Sequence, residues 1–174
     1  MISKLYNKTA TVYRATSSDN STIHEYCMQT CFIIKLRCKI LLQKSVPHKF
    51  FIEKKIYSEI LFNIAQNAVK FNKPNGSVVI CVSYNTETKK IWTFIEDSGI
   101  GIDQNTKRSL FIAFRNQSKV NLTRMNSESS GIGIGLSNSK CLVKALNGHI
   151  SLESKLGNGT IVSYSIETKP YENG

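Results

Sequence analysis

Proline is scarce in this chain of 174 residues, with three in all, and tryptophan occurs once. With 41% of residues apolar, such a composition reads as a globular protein and not as an extended linker. Long apolar runs are missing too: none approaches the roughly 20 residues of a membrane-spanning helix. Met1-Ile2-Ser3-Lys4 leads into a polar segment, not the apolar centre of a secretory leader. These absences exclude direct membrane insertion by a helix. The chain reads as soluble and cytoplasmic, with room for a membrane-bound longer relative or partner. Cysteines number five, Cys27, Cys31, Cys38, Cys81 and Cys141. The count is odd and no CxxC occurs, which argues against a disulfide framework. His24, Cys27, Cys31 and Cys38 lack the spacing of a usual zinc module. Cys81 and Cys141, set among apolar residues, are expected in the core. No GxxxxGK loop is present, which excludes a P-loop enzyme.

Acidic residues are few, 12 against 23 Lys and Arg, for a net charge of +11. A basic chain suits anionic partners such as nucleotides or acidic proteins. The basic residues are dispersed, and neither a basic region with heptads nor an aromatic RNA-binding motif occurs, so no nucleic-acid partner is expected. The length fits one domain with an extra segment. At this size roughly 70% of the unfolded surface can be buried, enough for a core without staples.

Residues 1–30 show little periodicity and are expected to form a poorly defined leader. The domain proper is expected over 31–168, followed by a tail at 169–174. Cys31–Arg37 reads as a strand that continues in some form to Leu42. Ile56, Ile60, Ile64 and Ala68 recur every four residues and predict a helix from Glu53 to about Phe71 with a core-facing stripe. Ser77–Tyr84 and Lys90–Glu96 predict a hairpin about Asn85–Lys90. A short helix is expected over Asp103–Phe114, and a polar, basic loop over Arg115–Ser130. That loop is long for a compact domain and has the character of a mobile nucleotide lid. A second helix follows the Gly131–Leu136 stretch, with Leu142, Val143 and Leu146 inward and Gly148 as its C-cap. Two strands, His149–Ser154 and Gly159–Glu167, complete the pattern.

Several residues carry chemistry. On the first helix Glu59, Asn63, Asn67 and Lys70 form a polar stripe beside the apolar one, so these groups should be partly buried and need partners. An amide oxygen is a hard neutral ligand suited to Mg²⁺ whose charge is balanced by phosphates. A lysine one turn further on can meet phosphate oxygens. Asp97, at a strand end before Gly99 and Gly101, offers an acceptor-only carboxylate that could receive an amino group such as that of adenine. Taken alone it is better explained as an Asp-Ser-Gly turn. Gly131, Gly133 and Gly135 precede a helix and could let backbone N–H groups approach an anion, although glycines in such numbers also serve tight turns.

Taken in order, Asn63-x3-Asn67-Ala68-Val69-Lys70-Phe71, Asp97-Ser98-Gly99-Ile100-Gly101-Ile102, Leu110-Phe111-x2-Phe114 and Gly131-Ile132-Gly133-Ile134-Gly135-Leu136 resemble the N, G1, F and G2 boxes of the ATP-binding catalytic domain of sensor histidine kinases. The resemblance runs over residues 45–167 and includes the Gly157-x-Gly159-Thr160 turn. It implies a two-layer α/β (α+β) sandwich of the Bergerat type, a mixed β-sheet with helices on one face, with ATP and Mg²⁺ as cofactors. It further implies that Asn67 coordinates Mg²⁺, that Asn63 and Lys70 support the phosphates, and that Asp97 accepts from the adenine amino group. Gly99, Gly101 and Ile102 would close on the base. Phe114 and Arg115 would border the lid, Gly131, Gly133, Gly135 and Leu136 its phosphate edge, and Thr160 would lie near adenine. ATPases of the wider superfamily, such as the gyrase and Hsp90 types, carry a water-activating Glu where Asn63 stands. An amide cannot act as a general base, so transfer to histidine is favoured over hydrolysis.

Upstream the pattern departs. His24-Glu25 matches only two residues of the family's phosphoacceptor motif and sits close to the first strand. The acceptor, on a histidine-containing dimerisation hairpin, and a downstream receiver protein are therefore expected in trans. The alternative is a nucleotide-binding regulatory module without transfer activity.

Overall fold

The computed structural model describes residues 10–13, 27, 38–47, 50–108, 110 and 134–170. Strands β1 (Ala10–Tyr13), β2 (Cys38–Gln43), β4 (Val78–Asn85), β5 (Lys90–Asp97), β6 (His149–Ser154) and β7 (Thr160–Glu167) form a six-stranded sheet in the order β1-β2-β4-β5-β7-β6. The β2–β4 pair is parallel and the others are antiparallel, so the sheet is mixed. β3 (Phe50–Phe51) pairs separately with β8 (Lys169–Pro170). Helices α1 (Lys54–Lys70) and α2 (Ile134–Ala145) pack against each other and on the sheet.

The four-residue stripe of α1 explains the layer. Ile60, Ile64 and Ala68 are buried, with Tyr57 and Leu61 beside them. They meet alternate residues of the strands, Ile80 and Val82 from β4 and Ile91 and Ile95 from β5. Leu41 and Cys81 are buried on the opposite sheet face with Val79, Phe94 and Ile161 packed beside them. Glu53 is the N-cap of α1 and Phe71 its C-cap, the bounds that periodicity had placed. Tyr57 and Thr93 join their hydroxyls across the core at 2.9 Å.

Five local expectations are corrected. Ala10–Tyr13 forms a strand within the segment expected to be a poorly defined leader, and Lys169–Pro170 forms one within the expected tail. Cys141 is exposed, not core: the buried positions of α2 are Leu136, Ser137, Ser139 and Val143. Cys38 is disulfide-bonded, with its partner outside the described residues. The left-handed residue that ends α2 is Asn147, φ 52°, and not Gly148. Asn147 N–H donates to Lys144 O and Gly148 N–H to Val143 O, the paired bonds of a Schellman ending with Asn at its turning position. Gly148 is needed for space, since a Cβ there would lie 1.9 Å from Ser165 O.

Candidate functional site

The C-terminal half of α1, the end of β5 and the β6–β7 hairpin enclose a cavity of about 290 Å³. Its walls are mostly aliphatic: Ile64 and Ala68 from α1, Ile95 from β5, Leu136 from α2, Leu152 and Val162 from the hairpin. Polar groups enter at few points, chiefly Asn67, Asp97 and Thr160. An apolar slot with a small number of fixed polar groups is the usual form of a small-ligand site.

Asp97 is fixed on one side only. Its Oδ1 accepts from Gly99 N at 2.8 Å and from Thr160 N at 3.2 Å. Oδ2 has no hydrogen-bond partner among the described residues. Burial pushes the carboxyl above its ordinary value, partly offset by the Gly99 and Thr160 N–H groups. The Asp97–Thr160 contact follows from the β5–β7 register, which places the two residues opposite each other.

Three turns bind the mouth together. Ile100 N–H donates to Phe71 O, and Gly157 N–H to Ile100 O. Lys73 Nζ donates to Gly157 O at 2.6 Å. Asn72, Ser77 and Ser98 close a smaller network, with Ser77 N–H on Ser98 Oγ and Ser98 Oγ on Asn72 Oδ1. A Cβ on Gly99 would lie 2.3 Å from Phe71 O, and one on Gly101, φ 69°, would lie 2.1 Å from Lys155 O. Glycine is required at both positions. Ile102 lines the cavity and donates its N–H to Ser154 Oγ. Asp103 caps the helical turn at 104–108, and hydrogen bonds from Thr106 hold its carboxyl below the usual carboxylate range.

The expected polar stripe is brought together in part. Asn67 lines the cavity. Asn63 faces the first turn of α2, where a Cβ on Gly135 would lie 3.8 Å from its side chain. Both amides are half-buried and have no side-chain hydrogen-bond partner among the described residues. Glu59 is exposed and accepts from Asn138 Nδ2 at 2.7 Å. Lys70 is exposed, outside the cavity lining, with Nζ 5.3 Å from the Phe71 ring. Gly135 and Leu136 lie in the first turn of α2, Leu136 touching the cavity. Phe114, Arg115, Gly131 and Gly133, with the lid expected over 115–130, lie outside the described residues.

Sequence reading overlooked Ser154 and Leu156. Leu156 is 65% exposed and still lines the cavity mouth, as does Ile100 at 53%. Ser154 could have been found by counting the hairpin register outward from the turn, which sets it opposite Thr160.

An apolar slot under a helix layer, with a half-satisfied carboxylate at a strand end and free amides on the facing helix, defines a nucleotide-binding α/β sandwich. Residues 53–170 match the family described as Histidine kinase-, DNA gyrase B-, and HSP90-like ATPase, and the chain belongs to it. The Circadian input-output histidine kinase CikA of Synechococcus elongatus is 35% identical over 102 residues, 59% of this chain and 13% of that protein. The Aerobic respiration control sensor protein ArcB of Escherichia coli is 32% identical over 121 residues, 70% of this chain and 15% of that protein. The chain therefore spans a small part of these relatives. The mycobacterial sensor histidine kinase MprB superposes with a TM-score of 0.63 at 16% identity, covering 85% of this chain and 97% of that one. Full-length ShkA in complex with AMPPNP gives 0.65 at 18% identity, covering 91% and 32%. At these identities the structural likeness is one of fold. Sequence and fold together make the chain an ATP-binding catalytic domain of the histidine kinase type. Among the described residues no helix is long and apolar enough to cross a membrane.

Proposed function

We propose that this domain binds Mg-ATP and donates the γ-phosphate to a histidine on a dimerisation hairpin supplied by another segment or chain, with a receiver protein as the next acceptor in a phosphorelay. The observation that carries the proposal is Asp97 in the lining of the apolar cavity, with Oδ1 held by the Gly99 and Thr160 N–H groups and Oδ2 without a hydrogen-bond partner among the described residues. Such a carboxylate accepts the adenine amino group while the aliphatic walls take the ring faces.

The half-buried amides fit a magnesium ion. Neither Asn63 nor Asn67 has a side-chain partner among the described residues, and buried amides need one. No group of three or more His, Cys, Asp or Glu among the described residues could hold a metal. Asn67 would hold Mg²⁺ together with the nucleotide's own oxygens, as suits an ion that keeps few protein ligands. When bound, Mg²⁺ supplies charge neutralisation at the phosphates. The chain's residues contribute binding and orientation. The cavity fixes the base, the three joined turns keep its mouth in shape, and Asn63 stands near the phosphate end without a basic group to activate water. Positioning and electrostatics then account for transfer. Lys70, now exposed, would reach the phosphates only by leaving the Phe71 ring.

Calorimetry with a non-hydrolysable ATP analogue and Mg²⁺ tests binding, and its failure at millimolar ligand sinks the proposal. Labelled ATP with a histidine-hairpin partner tests transfer. Acid-labile label on the partner is expected. Binding without label would instead identify a regulatory nucleotide-binding module. Asn67→Ala is expected to abolish the Mg²⁺ dependence of nucleotide affinity, and dependence that persists would remove Asn67 as the ligand.

A further inference from the structure

Ser154 belongs to none of the sequence motifs, yet three groups around the cavity converge on its hydroxyl. Ser154 Oγ lies 2.9 Å from Ile102 N, from Gly159 O and from Thr160 Oγ1. A serine hydroxyl has one proton and two acceptor lone pairs. Ile102 N–H can only donate, so it occupies one lone pair. Gly159 O can only accept, so it takes the proton. The remaining contact must then run from Thr160 to Ser154, with Thr160 Oγ1 as donor. The Thr160 proton is thereby directed back toward β6, which leaves the lone pairs of the hydroxyl oxygen for a ligand in the cavity that Thr160 lines.

Asp97 lines the same cavity, and its Oδ2, without a hydrogen-bond partner among the described residues, is also an acceptor. We propose that Ser154 is a specificity-determining positioning residue. By holding the Thr160 proton away from the ligand it makes the polar end of the cavity acceptor-only, which selects a base with an exocyclic amino group over one with an oxo group. The inference rests on the cavity being the nucleotide site and adds the device that sets its base preference. A threonine hydroxyl alone rotates to donate or accept, so Thr160 without Ser154 would tolerate either group. Asp97 rejects an oxo group by itself. Thr160 doubles that rejection only because its proton is already committed. An oxo-bearing base would leave facing acceptors unpaired, the arrangement by which polar sites discriminate most strongly.

The test compares affinities for ATP and inosine triphosphate, which carries an oxo group in place of the adenine amino group. The wild-type chain is expected to prefer ATP. Ser154→Ala frees the Thr160 hydroxyl and should narrow that preference by about tenfold, the worth of one hydrogen bond. Ser154→Thr keeps a hydroxyl and should retain it. In a Thr160→Val background, Ser154→Ala should leave the ratio where it is. If Ser154→Ala weakens both nucleotides by the same factor, Ser154 is merely structural and the proposal is overturned. Narrowing of equal size in the Thr160→Val background also overturns it, because the route through Thr160 is then wrong. Should Ser154→Ala not fold, Thr160→Val alone decides: it removes an acceptor, and an unchanged ratio refutes the assignment. A wild-type chain that binds neither nucleotide would overturn the functional reading together with this one, an outcome distinct from an unaltered ratio on a chain that binds ATP.

Discussion

Asp97 holds two opposed demands in one side chain. Its half-buried position favours the neutral acid, whereas accepting an amino N–H requires the carboxylate. The folded protein therefore binds this proton more tightly than the unfolded chain does. The sign follows: the contribution to stability is fully present below the ordinary value of 3.8 and is lost as pH rises through the raised folded value. On the proposed adenine role, ligand binding has the reverse dependence, because the proton competes with the nucleotide. ATP affinity is expected to fall as the pH is lowered through that same raised value, measurable by titration across an acidic series. Asp97→Asn keeps an oxygen for Gly99 and Thr160 but presents a donor where adenine also donates. We expect it to weaken ATP binding by about 1–3 kcal/mol and to remove this part of the acid dependence. The wild-type domain without ligand should gain stability relative to Asp97→Asn on acidification, checked by denaturant midpoints at several pH values. Equal ATP affinity in the two proteins would refute the adenine role.

At the scale of elements, turns do more than connect. The G1 turn after β5 lies against the β6–β7 turn so closely that Gly101 has no space for a side chain. Gly101 (φ 69°) and Gly157 (φ 82°) are both left-handed, but a Cβ on Gly101 would lie 2.1 Å from Lys155 O whereas one on Gly157 meets nothing within 4 Å. Gly157→Ala should cost about 1–2 kcal/mol through backbone strain alone and preserve nucleotide binding. Gly101→Ala adds a backbone overlap, so it should lose more stability and most of its nucleotide affinity. Thermal melts and calorimetry on the pair check this, and equal losses would show that the turns do not press on each other. The contrast also marks what is readable from sequence. The α1 helix and the β4–β5 hairpin were legible because their signals are local: a four-residue repeat, alternating Val and Ile, a turn between. The motif carrying Gly101 was legible as a pattern, but its reason, the Lys155 carbonyl, comes from a distant strand pair. The β3–β8 pair depends on long-range register and leaves no local trace, whereas the Ser154–Thr160 contact follows from counting the β6–β7 hairpin outward from its turn. Asn147 took the turning position expected of its neighbour Gly148 because Asn tolerates the left-handed conformation and Gly148 was committed to Ser165.

Across the whole molecule, the proposed nucleotide site lies where elements remote in sequence meet. Asn67 comes from the helix that follows β3, Asp97 from the centre of the sheet, and Thr160 from the last long strand. A ligand touching all three ties the helix layer to both hairpins, while β1 at the sheet edge and the β3–β8 pair stay outside the cavity lining. Binding should therefore stabilise the domain as a unit and not one element of it. A ligand at a hundred times its dissociation constant adds about 2.7 kcal/mol, which for a domain of this size raises the melting temperature by roughly 5–11 °C. The expected result with an ATP analogue and Mg²⁺ is one shifted transition, seen alike by far-ultraviolet circular dichroism and by the fluorescence of Trp92 on β5. Asn67→Ala should retain the shift given by nucleotide alone and lose the increment added by Mg²⁺. Two separated transitions, with only one responding to nucleotide, would show that the site couples fewer elements than its lining implies.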